Sequence, residues 1–301
     1  MGTKLQIYVD QATKRGVPLS QLMVEQEARI QSMTEEEVLR GMARTYIVQR
    51  KAVTAGRHYD TPYLSDITGD VAGQMENYLK NHEPLTDRFT GEVILRALSA
   101  SKSNSMMNVI VAAPTAGSSG VIPAVLTCLE DYRDICRDQI VRSLFTAGLV
   151  GTVVASQVTL AGAAGGCMAE CGTASAMAAA SATEVMGGSP DQVSNAAALA
   201  MKQHLGLVCD PVAGLVECPC IKRNAMSATV ALAATEMALA GIPSVVPFDE
   251  VLIAMREVAD KMDVTLRETS LGGLARTPTG KRIQHRAVEV ETQLIDDSDE
   301  Y

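Results

Sequence analysis

Apolar and polar positions recur with helical spacing through the first third of the chain. Thr34-Glu35-Glu36-Glu37 has the form of a capping box, in which Thr34 accepts from first-turn amides and Glu37 reaches back. Val38, Met42 and Tyr46 then return every four residues, which predicts a helix over about 35–52. Gly56, Pro62 and Gly69 punctuate a polar stretch between 54 and 70, and Pro84 breaks a later one, so loops are expected there. Residues 1–95 thus read as amphipathic helices.

The pattern changes after residue 95. From 141 to 240, 24 of 100 residues are Ala, joined by Gly, Ser and Thr, so helices there can approach closely and form a core rather than a surface layer. Ser143 to Ala169 carries no charge, a run long enough to raise the question of a membrane span. Its small and hydroxyl residues, the lack of aromatic belts and a basic flank of Arg142 alone favour a buried helix instead.

Gly165-Gly166 and Gly187-Gly188 are expected to stop helices. Ser189-Pro190-Asp191-Gln192 starts the next with an N-cap Ser, Pro at the first helical position and Gln at the third. That helix is expected to run to about Leu205, with Gly206 ending it. Two Pro and one Gly between Leu207 and Cys220 exclude a continuous helix, so Cys209 and Cys220 bracket a loop. Further helices are expected over about Lys222–Ala240 and after Pro247-Phe248-Asp249. Residues 281–301 are polar and end DDSDEY, a solvated tail on a catalytic region spanning 1–280.

The fold class that follows is all-α: one helical domain with a small-residue-rich core at 96–280. Aromatic content of 3% fits that choice, since the core must be built from Ala, Val, Leu, Ile and Met. Net charge of −9 and scattered Lys and Arg argue against a nucleic-acid partner. The opening MGTKLQIYVD lacks an apolar run of signal-peptide length, so a cytoplasmic location without a membrane is expected. Seven Cys, an odd number concentrated between 128 and 220, suit metal or thiol chemistry better than a disulfide framework.

Cys167 follows a double Gly, Cys209 follows Gly206 and Cys220 precedes a helix. Helix ends offer free amides and positive potential that favour thiolates. The spacing is neither a zinc ribbon nor a Cys-X-X-Cys redox motif, and Cys171 and Cys218 remain alternative ligands. Buried, inert thiols are the structural alternative. Pro114-Thr115-Ala116-Gly117-Ser118-Ser119-Gly120 is a loop whose hydroxyls and amides suit a carboxylate, or else a plain capped turn. It lacks the Lys-Ser/Thr ending of a phosphate loop. The four His are scattered, and His204 reads as a core or helix-end residue.

The segments VAAPTAGSSGVIPA (111–124), GAAGGCMAECG (162–172), LGLVCDPVAGLVECPCIKRNA (205–225) and Thr277-Pro278-Thr279-Gly280 closely resemble the alpha chain of iron-sulfur-dependent L-serine dehydratases. The resemblance implies an all-helical catalytic domain with a [4Fe-4S] cluster held by Cys167, Cys209 and Cys220. Three thiolates leave one iron open, a Lewis acid for the hydroxyl of L-serine, whose α,β-elimination gives pyruvate and ammonia. Ser118 and Ser119 are candidates for the base or for orienting substrate. Thr115, Gly117, Asn104 and Asn224 are candidate substrate contacts. The resemblance further implies a separate beta chain, with a homodimer or heterotetramer as the assembly.

Three positions depart from the family pattern: Met168 where Gln is usual, Asn108 where Gly is usual, and Lys102 where an acid is common. They leave open a lyase of the same chemistry acting on threonine or cysteine. A pyridoxal-phosphate lyase would need a Schiff-base lysine with a phosphate cup; Lys102 is the only suggestive lysine, and no glycine run accompanies it. Electron transfer would call for a fourth well-placed Cys. A non-enzymatic scaffold would be colourless.

Overall fold

The computed structural model describes residues 3–57 and 67–287. The expected tail beyond 287 and most of the 54–70 loop, with Pro62, fall outside them. Twelve α-helices up to Lys261 and a further helical stretch at 278–287 occupy the described residues, which contain no strand, only an isolated parallel bridge between Cys209 and Arg267.

Local sequence explains the boundaries. The capping box at Thr34 opens α3 (Glu35–Ala55), with Thr34 accepting the Glu37 amide at 3.2 Å and Glu37 accepting the Thr34 amide at 2.9 Å. The Ser189 box likewise opens α10 (Pro190–Lys202), which ends three residues before Leu205 because 203–206 already turn toward Gly206 at φ 82°. α11 (Cys220–Leu239) begins two residues earlier than expected, so Cys220 is its first residue. α12 spans Phe248–Lys261. Residues 278–287 are helical, so the chain beyond Gly280 starts ordered.

The centre is α9 (Thr173–Val185), whose residues from Thr173 to Thr183 are all buried. Its Ala, Ser, Thr and Met side chains make no amphipathic stripe, as a helix surrounded on every side requires. Around it pack α6 (Val121–Tyr132), α7 (Arg137–Gln157), α10 and α11. α5 (Arg88–Ser105) joins α11 and α3 on the outer side.

The uncharged run Ser143–Ala169 is not one helix. α7 ends at Gln157, residues 158–161 are extended or turning, and α8 (Gly162–Cys167) is a single short element. α7 is long and apolar enough to cross a membrane, and 67% of its most apolar window is buried inside the protein. The apolar character thus serves the core.

Candidate active site

Cys167 is placed by a glycine. Gly166 adopts φ 67° and ψ −173°, and a Cβ there would stand 2.8 Å from the Leu207 carbonyl oxygen. The break makes Cys167 the first residue of the helical run that continues through a π-turn, Met168–Gly172, into α9. The Met168 amide donates to Leu207 O at 3.0 Å, tying this start to the segment that carries Cys209.

Cys209 lies in extended chain clamped by two hydrogen bonds, its amide to Leu266 O at 2.9 Å and its carbonyl from the Glu268 amide at 2.7 Å. Cys167, Cys171 and Cys209 pack together as one buried group against Leu207. Cys220 is partly buried and near enough to Cys167 to feel its charge.

Their ionisation separates them. The Cys171 thiol, hydrogen-bonded to Cys167, holds that group below the usual thiol range despite burial, and Arg223 adds to the effect. Burial instead pushes Cys209 up, and pushes Cys220 up to about 12. The depression at Cys167 thus comes from its thiol neighbour and a cation rather than from a helix end, Cys209 is on no helix, and at Cys220 burial outweighs the helix terminus.

Arg223 is the cation beside the thiols. It donates to Val208 O at 2.7 Å and to Asp210 Oδ1 at 2.9 Å. Burial opposes its charge, but Cys167 and Asp210 outweigh that and keep it firmly protonated.

The substrate-loop candidate faces the cysteines. Thr115, Gly117 and Ser118 form a 3-10 turn, Ala116–Ser118, with Thr115 Oγ1 and Ser118 Oγ 3.2 Å apart. Ser119 Oγ is buried without a hydrogen-bond partner. Asn224 is fully buried; its Oδ1 accepts the Gly120 amide, while Nδ2 donates to Gly117 O at 2.7 Å and Cys220 O at 2.9 Å. Its amide is thus spent on backbone, and it contributes by holding the loop against α11. Asn104, in the last turn of α5, supplies its carbonyl to the Met107 amide and is not drawn into this network.

The residue that sequence reasoning passed over is Glu170. Its Oε1 accepts from Thr115 Oγ1 at 2.7 Å and its Oε2 lies 3.8 Å from Cys209 Sγ, joining loop and cysteines. Burial raises its pKa above the usual carboxylate range, the Thr115 hydrogen bond opposing and Glu268 adding to the rise. A signal was present: Glu170 is the only charged residue between Arg142 and Glu184.

Among the described residues no three His, Cys, Asp or Glu side chains form a ready set for a single metal ion. A cubane differs, because each thiolate binds a different iron and the sulfurs stand apart. Three thiols from three elements, one depressed in pKa and with a cation nearby, are a donor set suited to an iron-sulfur cluster.

The family profile described as serine dehydratase alpha chain matches residues 14–275. The chain belongs to the serine dehydratase alpha-chain family. It is 42% identical over 273 residues to the probable L-serine dehydratase alpha chain of Bacillus subtilis, covering 91% of each chain. It is 40% identical over 276 residues to the L-serine dehydratase alpha chain of Peptoniphilus asaccharolyticus, covering 92% of this chain and 94% of that one. The L-serine dehydratase of Streptomyces coelicolor is 36% identical over 268 residues, 88% of this chain but 58% of that longer protein.

Within this serine dehydratase alpha-chain fold, the departures from the family pattern have distinct surroundings. Met168 is fully buried, packs in the main core, and takes the Gly206 amide on its sulfur at 3.3 Å. Lys102, 1% exposed, meets Glu217 at 3.8 Å and Thr68 at 3.5 Å. Asn108 is exposed beside Met107. His204, as expected, is a core residue, bonded to Ala200 O and Ser227 Oγ at 2.9 Å each.

Proposed function

We propose that this chain is the alpha subunit of an L-serine dehydratase, converting L-serine to pyruvate and ammonia. The observation that carries the reading is the packing of Cys167 and Cys209 beside Glu170 and the Thr115–Ser119 loop, with Cys220 near enough to feel the charges of Cys167 and Glu170, in a chain of the serine dehydratase alpha family. In this reading the three cysteines hold a [4Fe-4S] cluster, which when bound supplies an open iron as Lewis acid for the substrate hydroxyl. Arg223 lies where its charge offsets that of the thiolates.

The chain's own residues bind and orient. Asn224 holds the 117–120 loop rigid, so the reacting Cα–H keeps one position relative to the cysteines. Ser118 is engaged with Thr115, whereas Ser119 keeps a hydroxyl with no partner. Ser119 is therefore the better of the two for meeting substrate, as carboxylate donor or as base.

A beta chain completes the site. The matched region fills only 58% of the longer Streptomyces relative, and Met107 and Val109, leading into the loop, are 90% and 78% exposed, an apolar surface suited to cover by a second chain.

The test is anaerobic purification with the beta chain co-expressed, followed by the visible spectrum, iron and sulfide counts, and pyruvate release from L-serine. A brown protein forming pyruvate is the expected result. A colourless protein after reconstitution overturns the cluster, and a brown one inactive on serine but active on threonine or cysteine reassigns the substrate.

A further inference from the structure

We infer that Glu170 anchors the α-ammonium group of the amino-acid substrate, with the Thr115 hydroxyl oxygen as a second acceptor. The inference rests on the serine dehydratase reading above and adds to it which end of the substrate lies where.

Hydrogen-bond polarity carries the first step. A threonine hydroxyl has one proton, and Thr115 gives it to Glu170 Oε1 at 2.7 Å. Toward any other group Thr115 Oγ1 can then only accept. A carboxylate paired with an acceptor oxygen suits a group with three donors and repels another carboxylate. Thr115 accordingly moves from the carboxylate end, where the sequence placed it, to the ammonium end. The substrate carboxylate is left to the far side of the loop, where Ser119 keeps its unpartnered hydroxyl.

The second step concerns Oε2. Its neighbour is Cys209 Sγ at 3.8 Å, a weak donor while it is a thiol. Among the described residues Oε2 has no hydrogen-bond partner nearer than that sulfur. A partly buried carboxylate oxygen left that way is costly. The substrate ammonium restores a charged donor.

The surroundings keep this carboxylate available. The nearby cation, Arg223, is taken by Asp210 and Val208 O, and among the described residues no Lys or Arg forms an ion pair with Glu170. Glycine backbone lies close against it on both sides, with no side chain between: a Cβ at Gly117 would stand 3.2 Å from Oε1, and one at Gly162 2.6 Å from Oε2. A half-buried carboxylate with no cation paired to it suits a cationic ligand.

Glu170→Gln and Thr115→Val, each purified anaerobically as the full chain with its beta partner, test the inference beside the wild type. Iron and sulfide are counted first, then binding of labelled L-serine by equilibrium dialysis, then KM and kcat. Competition by L-glycerate, which has a hydroxyl where serine has its ammonium, reports the ammonium contact alone. Glu170→Gln should keep the wild-type iron content, weaken L-serine binding and raise KM about 10- to 100-fold, and lose the preference for serine over glycerate. Thr115→Val should move the same way by less. Loss of iron in Glu170→Gln would make Glu170 part of the cluster scaffold, and unchanged binding with a fallen kcat would make it a proton carrier; either result overturns the inference. A wild-type protein without iron or pyruvate formation is a separate outcome: it refutes the dehydratase reading, and the inference falls with it.

Discussion

Asn224 and Gly120, far apart in sequence, are locked together by a 2.9 Å bond from the Gly120 amide to the Asn224 side chain. The same side chain donates to Gly117 O and to Cys220 O, so one amide group couples the substrate loop to the first turn of α11. Asn224→Ala leaves the Gly120 amide buried without an acceptor and should cost about 2–3 kcal/mol of stability. The expected phenotype in kinetics is a loss of kcat larger than the change in iron content, measured on the same preparation.

The cysteines make separable predictions. Cys167→Ser, Cys209→Ser and Cys220→Ser should each lose most of the iron and sulfide, whereas Cys171→Ser and Cys218→Ser should keep it. Cys171 is the demanding case, because it packs directly against Cys167 and Cys209 while Cys220 is reached from the side. Iron retained in Cys220→Ser and lost in Cys171→Ser would reassign the third ligand.

Away from the site, Asp131 binds Arg96 at 2.7 Å and Arg50 at 3.0 Å, while Arg50 also pairs with Glu130. Burial works to raise the Asp131 pKa, but the two guanidinium groups outweigh it and hold the carboxyl below its usual value. A carboxyl depressed in the folded state stabilises fully above its unfolded pKa and loses that contribution as pH falls through the folded one. Asp131 is exposed, so solvent screening keeps the effect small: Asp131→Asn should be less stable by about 1 kcal/mol at pH 7, with the gap to wild type closing below about pH 4. Thermal midpoints across pH 3–7 would show it; a gap independent of pH would mean that shape, not charge, matters at this position.

Lys102 and Glu217 meet in the interior three residues before Cys220, with both side chains nearly inaccessible at 1% and 3%. Lys102→Met takes away the cation from a buried carboxylate that Thr68 also bonds and should cost about 3 kcal/mol, and Lys102→Glu more still. Melting temperature and iron content are expected to fall together.

Much of this was legible beforehand. The boxes at Thr34 and Ser189 are local devices, satisfied within four residues, and they open α3 and α10 as read. Cys167, Cys209 and Cys220 stood out through the resemblance, and the structure brings their segments together. The split of the uncharged run escaped because nothing in Ser143–Ala169 but Gly marks a break, and Gly is common there. Glu170 escaped for a different reason. Its partners Thr115 and Cys209 lie 55 and 39 residues away, and only the folded chain puts them beside it.

Gly166 offers a backbone test. An alanine there must take a positive φ and push against the Leu207 carbonyl 2.8 Å away, so Gly166→Ala should lose about 2 kcal/mol or more and misplace Cys167. A variant that melts like wild type would show that the segment has room to shift.

The clamp on Cys209 also sets an order of assembly during synthesis. Leu266 O and the Glu268 amide hold Cys209 from 57 and 59 residues further along the chain, whereas Cys167 and Cys220 are positioned by segments made earlier. A nascent chain still lacking Leu266 has two of its thiols in place and the third untethered. In the cluster reading proposed above, a cofactor meets all three thiols together only once Leu266 and Glu268 have joined the fold.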